Sequence, residues 1–107
     1  DLGLTALIRR LWSKDIDTRF CCEGYDVPEG ADHNSWSYFL FRGYITMVDD
    51  QRSSYLIARI VENFLTTKKD HSWDIEYHKN ILIGKVITIR YPTKDIANLN
   101  RFVEVIL

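Results

Sequence analysis

The sequence is poor in cysteine and has no long hydrophobic run. It contains two cysteines in 107 residues, and no apolar stretch approaches the roughly 20 residues that a membrane-spanning helix needs. Cys21 and Cys22 are adjacent, and neighbouring residues of a strand point to opposite faces, so a disulfide between them would be strained. Nothing at the start of the chain resembles a signal peptide. We therefore expect free thiols in a reducing compartment, no membrane segment and a cytoplasmic protein.

The chain also lacks an excess of charge of either sign. Its formal net charge is −1, from 14 Lys and Arg against 15 Asp and Glu. Sequence-independent binding to nucleic acid needs clustered Lys and Arg, because phosphate contacts release counterions. The composition excludes such a broad basic surface but allows a local basic pocket. With 46% hydrophobic and 27% charged residues, we expect one globular domain over residues 1–107.

Apolar periodicity predicts three helices and four strands. The predicted helices cover residues 3–14, residues 50–68 with a cap at Asp49 or Asp50, and a last amphipathic segment after Pro92 with Thr93 as its N-cap. The predicted strands cover residues 17–22 and 36–47 and a hairpin that runs from 73 to 91 and turns near 80–84. The order α-β-β-α-β-β-α predicts an α+β fold with a four-stranded, mainly antiparallel sheet and helices packed on one face.

A glycine turn follows the first predicted strand, in the segment TRFCCEG of residues 18–24. Backbone N–H groups in such a turn can bind an anion, and Arg19 would add a donor pair suited to phosphate or carboxylate. The alternative is structural. In it, Phe20 and Cys22 pack in the core, Arg19 is solvated and Gly24 only turns the chain.

The adjacent cysteines raise two further chemical alternatives. A catalytic thiolate needs a nearby cation and a base, for which His33, His71 and His78 are candidates, but no spacing is typical of a known cysteine enzyme. A metal site would combine Cys21, Cys22 and His33, with His71 or His78 as an optional further ligand, although adjacent cysteines diverge on a strand whereas zinc ligands converge. We therefore assign no catalytic residue, no metal and no cofactor.

The second predicted strand has one face with aromatic and cationic side chains. Tyr38, Arg42 and Tyr44 lie on it, and Arg90 lies on the outward face of the last predicted strand. Aromatic rings stack on bases and arginines pair with phosphates, so this composition is typical of a nucleotide platform. The alternative is that these side chains pack in a dimer interface or against the long loop of residues 25–35.

The segment IDTRFCCEGY of residues 16–25, followed by SYFLF of residues 37–41, resembles a known pattern. It is similar to small bacteriophage-type accessory proteins with a T-x-(F/Y)-(S/C)-C-x-G-H strand-turn, and to the Ser-Cys-x-Gly turn of wybutosine-synthesis proteins. The resemblance covers residues 4–45, and Tyr25 stands where the signature has His. The matching residues are Thr18, Phe20, Cys21, Cys22 and Gly24. The resemblance implies a phage-encoded accessory protein, of a class that includes inhibitors of bacterial defence.

These patterns predict a binding protein rather than an enzyme, for a small anionic or nucleotide-like ligand, and the resemblance implies that it is a phage anti-defence factor that sequesters this ligand. The predicted ligand-binding residues are Arg19, Cys22, Gly24, Tyr38, Arg42, Tyr44 and Arg90. One alternative is an inhibitor or subunit that docks on a protein partner through the aromatic strand and the acidic residues of the long loop, Asp26, Glu29 and Asp32. Another is a small nucleotide-processing enzyme that depends on Cys21, Cys22 or a histidine. The aromatic side chains of strand two also predict a homo-oligomer.

Overall fold

The computed structural model describes residues 2–22, 42–65 and 73–107. The helices in these segments are α1 (Leu2–Ser13), α2 (Gln51–Ile60) and α3 (Ile96–Ile106), and the strands are β1 (Thr18–Cys22), β2 (Gly43–Val48), β3 (Asp74–Asn80) and β4 (Gly84–Tyr91). A π-helical turn, Val61–Leu65, extends α2, and a 3₁₀ turn, Thr93–Asp95, precedes α3. The predicted α+β class and element order are confirmed. None of the described helices has the length and hydropathy to cross a membrane.

The four strands form one antiparallel sheet in the order β1-β2-β4-β3. A three-residue turn joins β3 to β4, and the Asn80 side-chain oxygen accepts hydrogen bonds from the backbone N–H groups of Leu82 and Ile83, at 2.8 and 3.1 Å. Gly84 has a φ of 97°, which favours glycine. This turn pairs β3 with β4, and the strand order leaves β1 and β3 as the two edges of the described sheet.

Odd-numbered residues of the two central strands face the helices and form the core. Ile45 and Met47 of β2 and Ile87, Ile89 and Tyr91 of β4 are at most 1% exposed. The helices contribute Leu7, Ile8, Leu11, Leu56, Ile57, Ile60, Ile96, Leu99 and Val103 to the same cluster. Complete burial of one large apolar side chain stabilises the fold by about 1.5–3 kcal/mol. All three described helices therefore pack on one face of the sheet, as predicted.

The start of α2 agrees with the sequence prediction, whereas the start of α3 differs from it. Asp50 caps α2, since its carboxylate accepts a hydrogen bond from the Ser53 N–H at 2.9 Å. At α3 the predicted Thr93 cap is wrong, because Thr93 begins the 3₁₀ turn and Asp95 occupies the N-cap position of the helix. The buried Asp95 carboxylate accepts a hydrogen bond from the Trp73 indole N–H at 3.1 Å. A long-range contact thus takes the place of a local cap.

A bulge in β1 overturns the faces expected from strict alternation. Thr18 lies opposite Met47, whereas Phe20 lies opposite Thr46. Met47 faces the helices and Thr46 faces away from them, so the extra residue on β1 turns Phe20 and Cys22 away from the core. Phe20 is 50% exposed. The structural alternative, in which these two side chains pack in the core, is therefore wrong.

Candidate functional site

The face of the sheet opposite the helices carries three cross-strand rows of side chains, which we call the open face. Residues directly opposite each other in antiparallel strands lie on the same face, so the pairing register fixes each row. The first row is Cys22, Tyr44, Arg90 and Asp74; the second is Phe20, Thr46, Thr88 and Glu76; the third is Val48, Val86 and His78. The structure thus brings three predicted ligand-binding residues, Cys22, Tyr44 and Arg90, into one row.

Two aromatic rings give the open face its accessible apolar surface. Phe20 and Tyr44, which is 37% exposed, lie on neighbouring strands as diagonal neighbours. Such neighbours are about 7–8 Å apart, within reach of aromatic side chains. Between them and β3, Thr46 and Thr88 are only 5% and 4% exposed. A ligand would therefore contact the rings and the side chains of β3 rather than the central threonines.

A hydroxyl network crosses the open face from β2 to β3. The Oγ1 atoms of Thr46 and Thr88 are 2.7 Å apart, and His78 Nε2 lies 2.8 Å from Thr88 Oγ1. A hydroxyl in hydrogen-bond reach of an imidazole is the first geometric requirement for nucleophilic catalysis. The Thr88 hydroxyl is buried and already shared with Thr46, so a substrate has no access to it. We therefore interpret the network as structural.

Two carboxylates on β3 hold the Arg90 guanidinium. Its Nη1 donates to Asp74 Oδ2 at 3.1 Å, and its Nη2 donates to Glu76 Oε1 at 2.9 Å. The hydrogen bond and the charge of Arg90 hold the pKa of Glu76 below its ordinary value, with a further contribution from His78. Two negative charges surround one positive charge here, so a phosphate would have to compete with both carboxylates for Arg90.

Arg19 is also paired within the chain. Its Nε and Nη2 donate to the two carboxylate oxygens of Asp17, at 2.7 and 3.0 Å. This contact raises the pKa of Arg19 through the hydrogen bond and the charge of Asp17. Arg19 lies at the bulge of β1 and is not part of the three rows. The predicted anion donor is thus engaged by an acid two residues before it.

The other predicted residues are placed differently or lie outside the described segments. Arg42 immediately precedes β2 instead of lying within the strand, and it is buried, with 6% of its surface exposed. The prediction that it lies on an exposed strand face is therefore wrong. Gly24 and Tyr38 lie outside the described residues, as do His33 and His71.

The two thiols diverge, as expected for adjacent strand residues. Both are exposed and free; Cys21 lies opposite the core residue Ile45 and Cys22 opposite Tyr44. Three strand spacings of about 4.8 Å separate Cys22 from His78, roughly 14 Å, so His78 cannot act as its base. In the part of the chain that the structure describes, no three His, Cys, Asp or Glu residues are arranged to hold a metal ion.

Tyr91 lies near the end of β1, on the core side of the sheet. Its hydroxyl donates to the Cys22 carbonyl oxygen at 3.3 Å, and its ring is buried beside Trp73. Burial raises the pKa of the Tyr91 phenol, and the neighbouring thiols, when ionised, raise it further. Tyr91 thus joins the end of β1 to the core.

The sequence interpretation missed an apolar hairpin tip. Ile81 and Leu82 are 100% and 93% exposed at the turn between β3 and β4, and Tyr77 of β3 is 62% exposed. Large apolar side chains at a tight turn are an exception to the usual polar composition of turns and indicate an interaction surface. The signal was present as three consecutive apolar residues, 81–83, between Asn80 and Gly84.

A shallow groove on the helical side was missed as well. It has a volume of about 610 Å³ and lies between the π-helical turn and α3. Phe64 and Phe102, which meet edge to face with ring centroids 5.3 Å apart, line it together with Arg59 and Arg101. The groove contains none of the predicted ligand-binding residues.

Comparison with known proteins adds no relative: no protein-family model, no curated protein and no solved structure matches the chain. The phage-type resemblance of residues 16–25 stays a prediction. The geometry of the open face is therefore the basis for a proposed function.

Proposed function

We propose that this protein is a non-catalytic binding protein that sequesters a flat, nucleotide-type ligand on its open face. The observation that carries the proposal is the first cross-strand row, in which Cys22, Tyr44 and Arg90 lie directly opposite one another, with Phe20 diagonal to Tyr44. All four strands contribute to one surface of aromatic, cationic and carboxylate groups, with the carboxylates supplied by Asp74 and Glu76 of β3. In the setting that the strand-turn resemblance implies, the ligand would be a nucleotide signal of bacterial defence.

Stacking supplies the affinity in this proposal. Phe20 and Tyr44 are accessible before any ligand binds, and every nucleobase has a flat face that can stack on such rings. Base–aromatic stacking contributes about 1–3 kcal/mol per base when measured by alanine substitution. Two rings on neighbouring strands are enough to hold one base.

The charge around Arg90 indicates which part of a nucleotide the row recognises. Carboxylate oxygens of Asp74 and Glu76 accept hydrogen bonds, and the ring and exocyclic N–H groups of a base donate them. A phosphate would be repelled by the same carboxylates. We therefore infer that the row binds the base edge, which replaces the predicted mode in which Arg19 and Arg90 pair with phosphate.

Isothermal titration calorimetry with nucleosides and their 5′-monophosphates tests the proposal. At least one nucleoside should bind, and its monophosphate should bind no more than about threefold more tightly, because the row lacks an unengaged cation for the phosphate. Phe20→Ala and Tyr44→Ala should each weaken binding by about tenfold or more. Tyr55→Ala, a matched change at a half-exposed tyrosine of α2, should leave the affinity unchanged.

Two results would contradict the proposal. One is the absence of heat with every base at millimolar ligand. The other is an equal loss of affinity in Tyr44→Ala and Tyr55→Ala, because a specific platform on the open face cannot depend on a ring of α2.

The exposed hairpin tip favours a second candidate function, docking on a macromolecular partner. Ile81 and Leu82 lie in a turn that the Asn80 side chain stabilises by accepting two backbone hydrogen bonds. Apolar side chains on a rigid element are typical anchors of a protein interface. If this function holds, the double change Ile81→Asp and Leu82→Asp should abolish a stoichiometric complex that Val105→Asp, at an exposed valine of α3, leaves intact.

A further inference from the structure

The two edges of the described sheet differ in how well they can accept another strand. β1 has five residues and contains a bulge, and bulges protect an edge from pairing. β3 has seven residues, and its pairing with β4 continues without a shift from Asp74 to Asn80. The side chains of residues 76–79 are exposed. The outer edge of β3 is therefore a regular, accessible template for strand pairing.

We propose that two copies of this chain associate through β3, with the two strands antiparallel about a two-fold axis at Tyr77. The two-fold axis keeps each residue on the same face of the sheet in both copies, and residues opposite each other in a continuous sheet share a face. Opposite residues must therefore be an even number of positions apart in sequence, which places the axis at a residue. An axis at Tyr77 is the one that pairs the complete strand. It places Asp74 opposite Asn80, Ile75 opposite Lys79, Glu76 opposite His78, and the two Tyr77 rings opposite each other.

The sequence of β3 is complementary to itself in this register. The Glu76–His78 pair occurs twice because of the two-fold axis, and each places a carboxylate opposite an imidazole. The Asp74–Asn80 pair, also present twice, places an acceptor opposite an amide donor. At the centre, pairing would bury part of the Tyr77 ring, which is 62% exposed.

Neighbouring registers are less favourable. An axis at Glu76 would place the two Glu76 carboxylates opposite each other, and an axis at Ile75 would place Asp74 opposite Glu76 twice. Like charges directly opposite each other destabilise a strand pair. Each of these registers also leaves part of β3 unpaired. The charge pattern thus disfavours both of these registers, and among the axes within β3 only the one at Tyr77 pairs the complete strand.

The association produces one eight-stranded sheet with both open faces on the same side. This dimer is a property additional to the proposed ligand binding, and its formation does not require a bound ligand. An edge-strand interface of this length lies below the roughly 1,200–2,000 Å² of standard interfaces, so we expect a dissociation constant on the order of micromolar.

Disulfide cross-linking tests the register. In a Cys21→Ser, Cys22→Ser background, Tyr77→Cys should form a covalent dimer on mild oxidation, because opposite Cα atoms lie about 4.5–5.5 Å apart, a distance that disulfides accept. Ile75→Cys and Lys79→Cys should each fail to link to their own copy, since four residues of strand separate the two thiols by roughly 13 Å. A mixture of these two variants should cross-link.

Sedimentation velocity measures the association without cross-linking. The wild-type chain should pass from monomer to dimer between about 0.1 μM and 100 μM. Tyr77→Lys places two ammonium groups at the axis and should weaken the dimer at least about tenfold. Val105→Lys makes a comparable change on α3 and should leave the dissociation constant within about threefold. Circular dichroism verifies that both variants are folded.

Three outcomes would overturn the proposal. The first is a wild-type chain that stays monomeric at millimolar concentration. The second is a dimer that Tyr77→Lys does not weaken. The third is self-linking of Ile75→Cys as efficient as that of Tyr77→Cys, which would show another register or another interface.

Discussion

Replacing the two buried threonines of the open face with valine should give strongly non-additive losses of stability. Thr88 Oγ1 contacts both Thr46 Oγ1 and His78 Nε2, whereas Thr46 contacts Thr88. Valine has nearly the same shape and keeps the β-branched side chain that strands favour. The change therefore removes the hydroxyl with little effect on packing.

The magnitudes follow from the hydroxyl that each variant leaves behind. Thr88→Val leaves the buried Thr46 hydroxyl without this partner, and we expect a loss of about 1–3 kcal/mol in the free energy of unfolding. Thr46→Val leaves the Thr88 hydroxyl bonded to His78, so the loss should be about 0.5–1.5 kcal/mol. The double variant removes both hydroxyls and should be no less stable than Thr88→Val. The losses should therefore fall short of additivity by at least the Thr46→Val loss, which gives a coupling energy of about 0.5–1.5 kcal/mol or more.

Urea unfolding at pH 7 measures these differences, and thermal unfolding provides a second reading. For a domain of this size, about 1 kcal/mol corresponds to a shift of roughly 4–8 °C in Tm. Additive losses would refute the shared hydroxyl contact. A Thr46→Val variant less stable than Thr88→Val would refute the placement of Thr88 at the centre of the network.

Three further predictions concern ionisation and the thiols. Arg90→Gln should raise the pKa of Glu76 toward its ordinary value of 4.5, measured by NMR titration of the carboxyl carbon. Because the folded-state pKa of Glu76 is lowered, its stabilising effect is present above the unfolded-state pKa and is lost as the pH falls through the folded-state value; Arg90→Gln should remove this acid dependence. The folded-state pKa of Tyr91 is raised, so stability should fall as the pH rises past the ordinary tyrosine pKa of about 10, and Tyr91→Phe should move alkaline unfolding, followed by circular dichroism, to higher pH. Finally, a bulky maleimide on Cys22 should weaken ligand binding by at least about tenfold, whereas the same label on Cys21, which lies on the other face, should not; equal effects would contradict the bulge register.

The sequence predicted the elements of the fold because each has a local signal. The apolar spacing of α1 and α2 and the cap at Asp50 depend on residues close in the chain, and so does the β3–β4 hairpin. The bulge of β1 has no such signal. It becomes defined only when Phe20 lies opposite Thr46 rather than Met47, and that pairing spans more than twenty residues.

The candidate site was predictable in its composition but not in its charge. Alternation correctly placed Tyr44 and Arg90 on the face away from the core. The carboxylates that hold Arg90 were overlooked, although the hairpin contained the information. If Asn80 pairs with Gly84, counting away from the turn along both strands places Asp74 opposite Arg90 and Glu76 in the neighbouring row. Register counting in a short hairpin therefore bears on electrostatics as well as topology.

Glu76 links the two proposals. Its Oε1 accepts from Arg90 on the open face, and in the β3 pairing the same carboxylate lies opposite His78 of the second copy. A ligand that draws Glu76 toward a base edge changes its interaction with that imidazole. By thermodynamic reciprocity, the factor by which saturating ligand changes the dimer dissociation constant must equal the product of the factors by which dimerisation changes ligand affinity at the two sites. Factors that differ from one in the wild-type chain and become one in Glu76→Gln would show that the carboxylate couples the two events. Factors of one in the wild-type chain would show that the open face and the strand edge act independently.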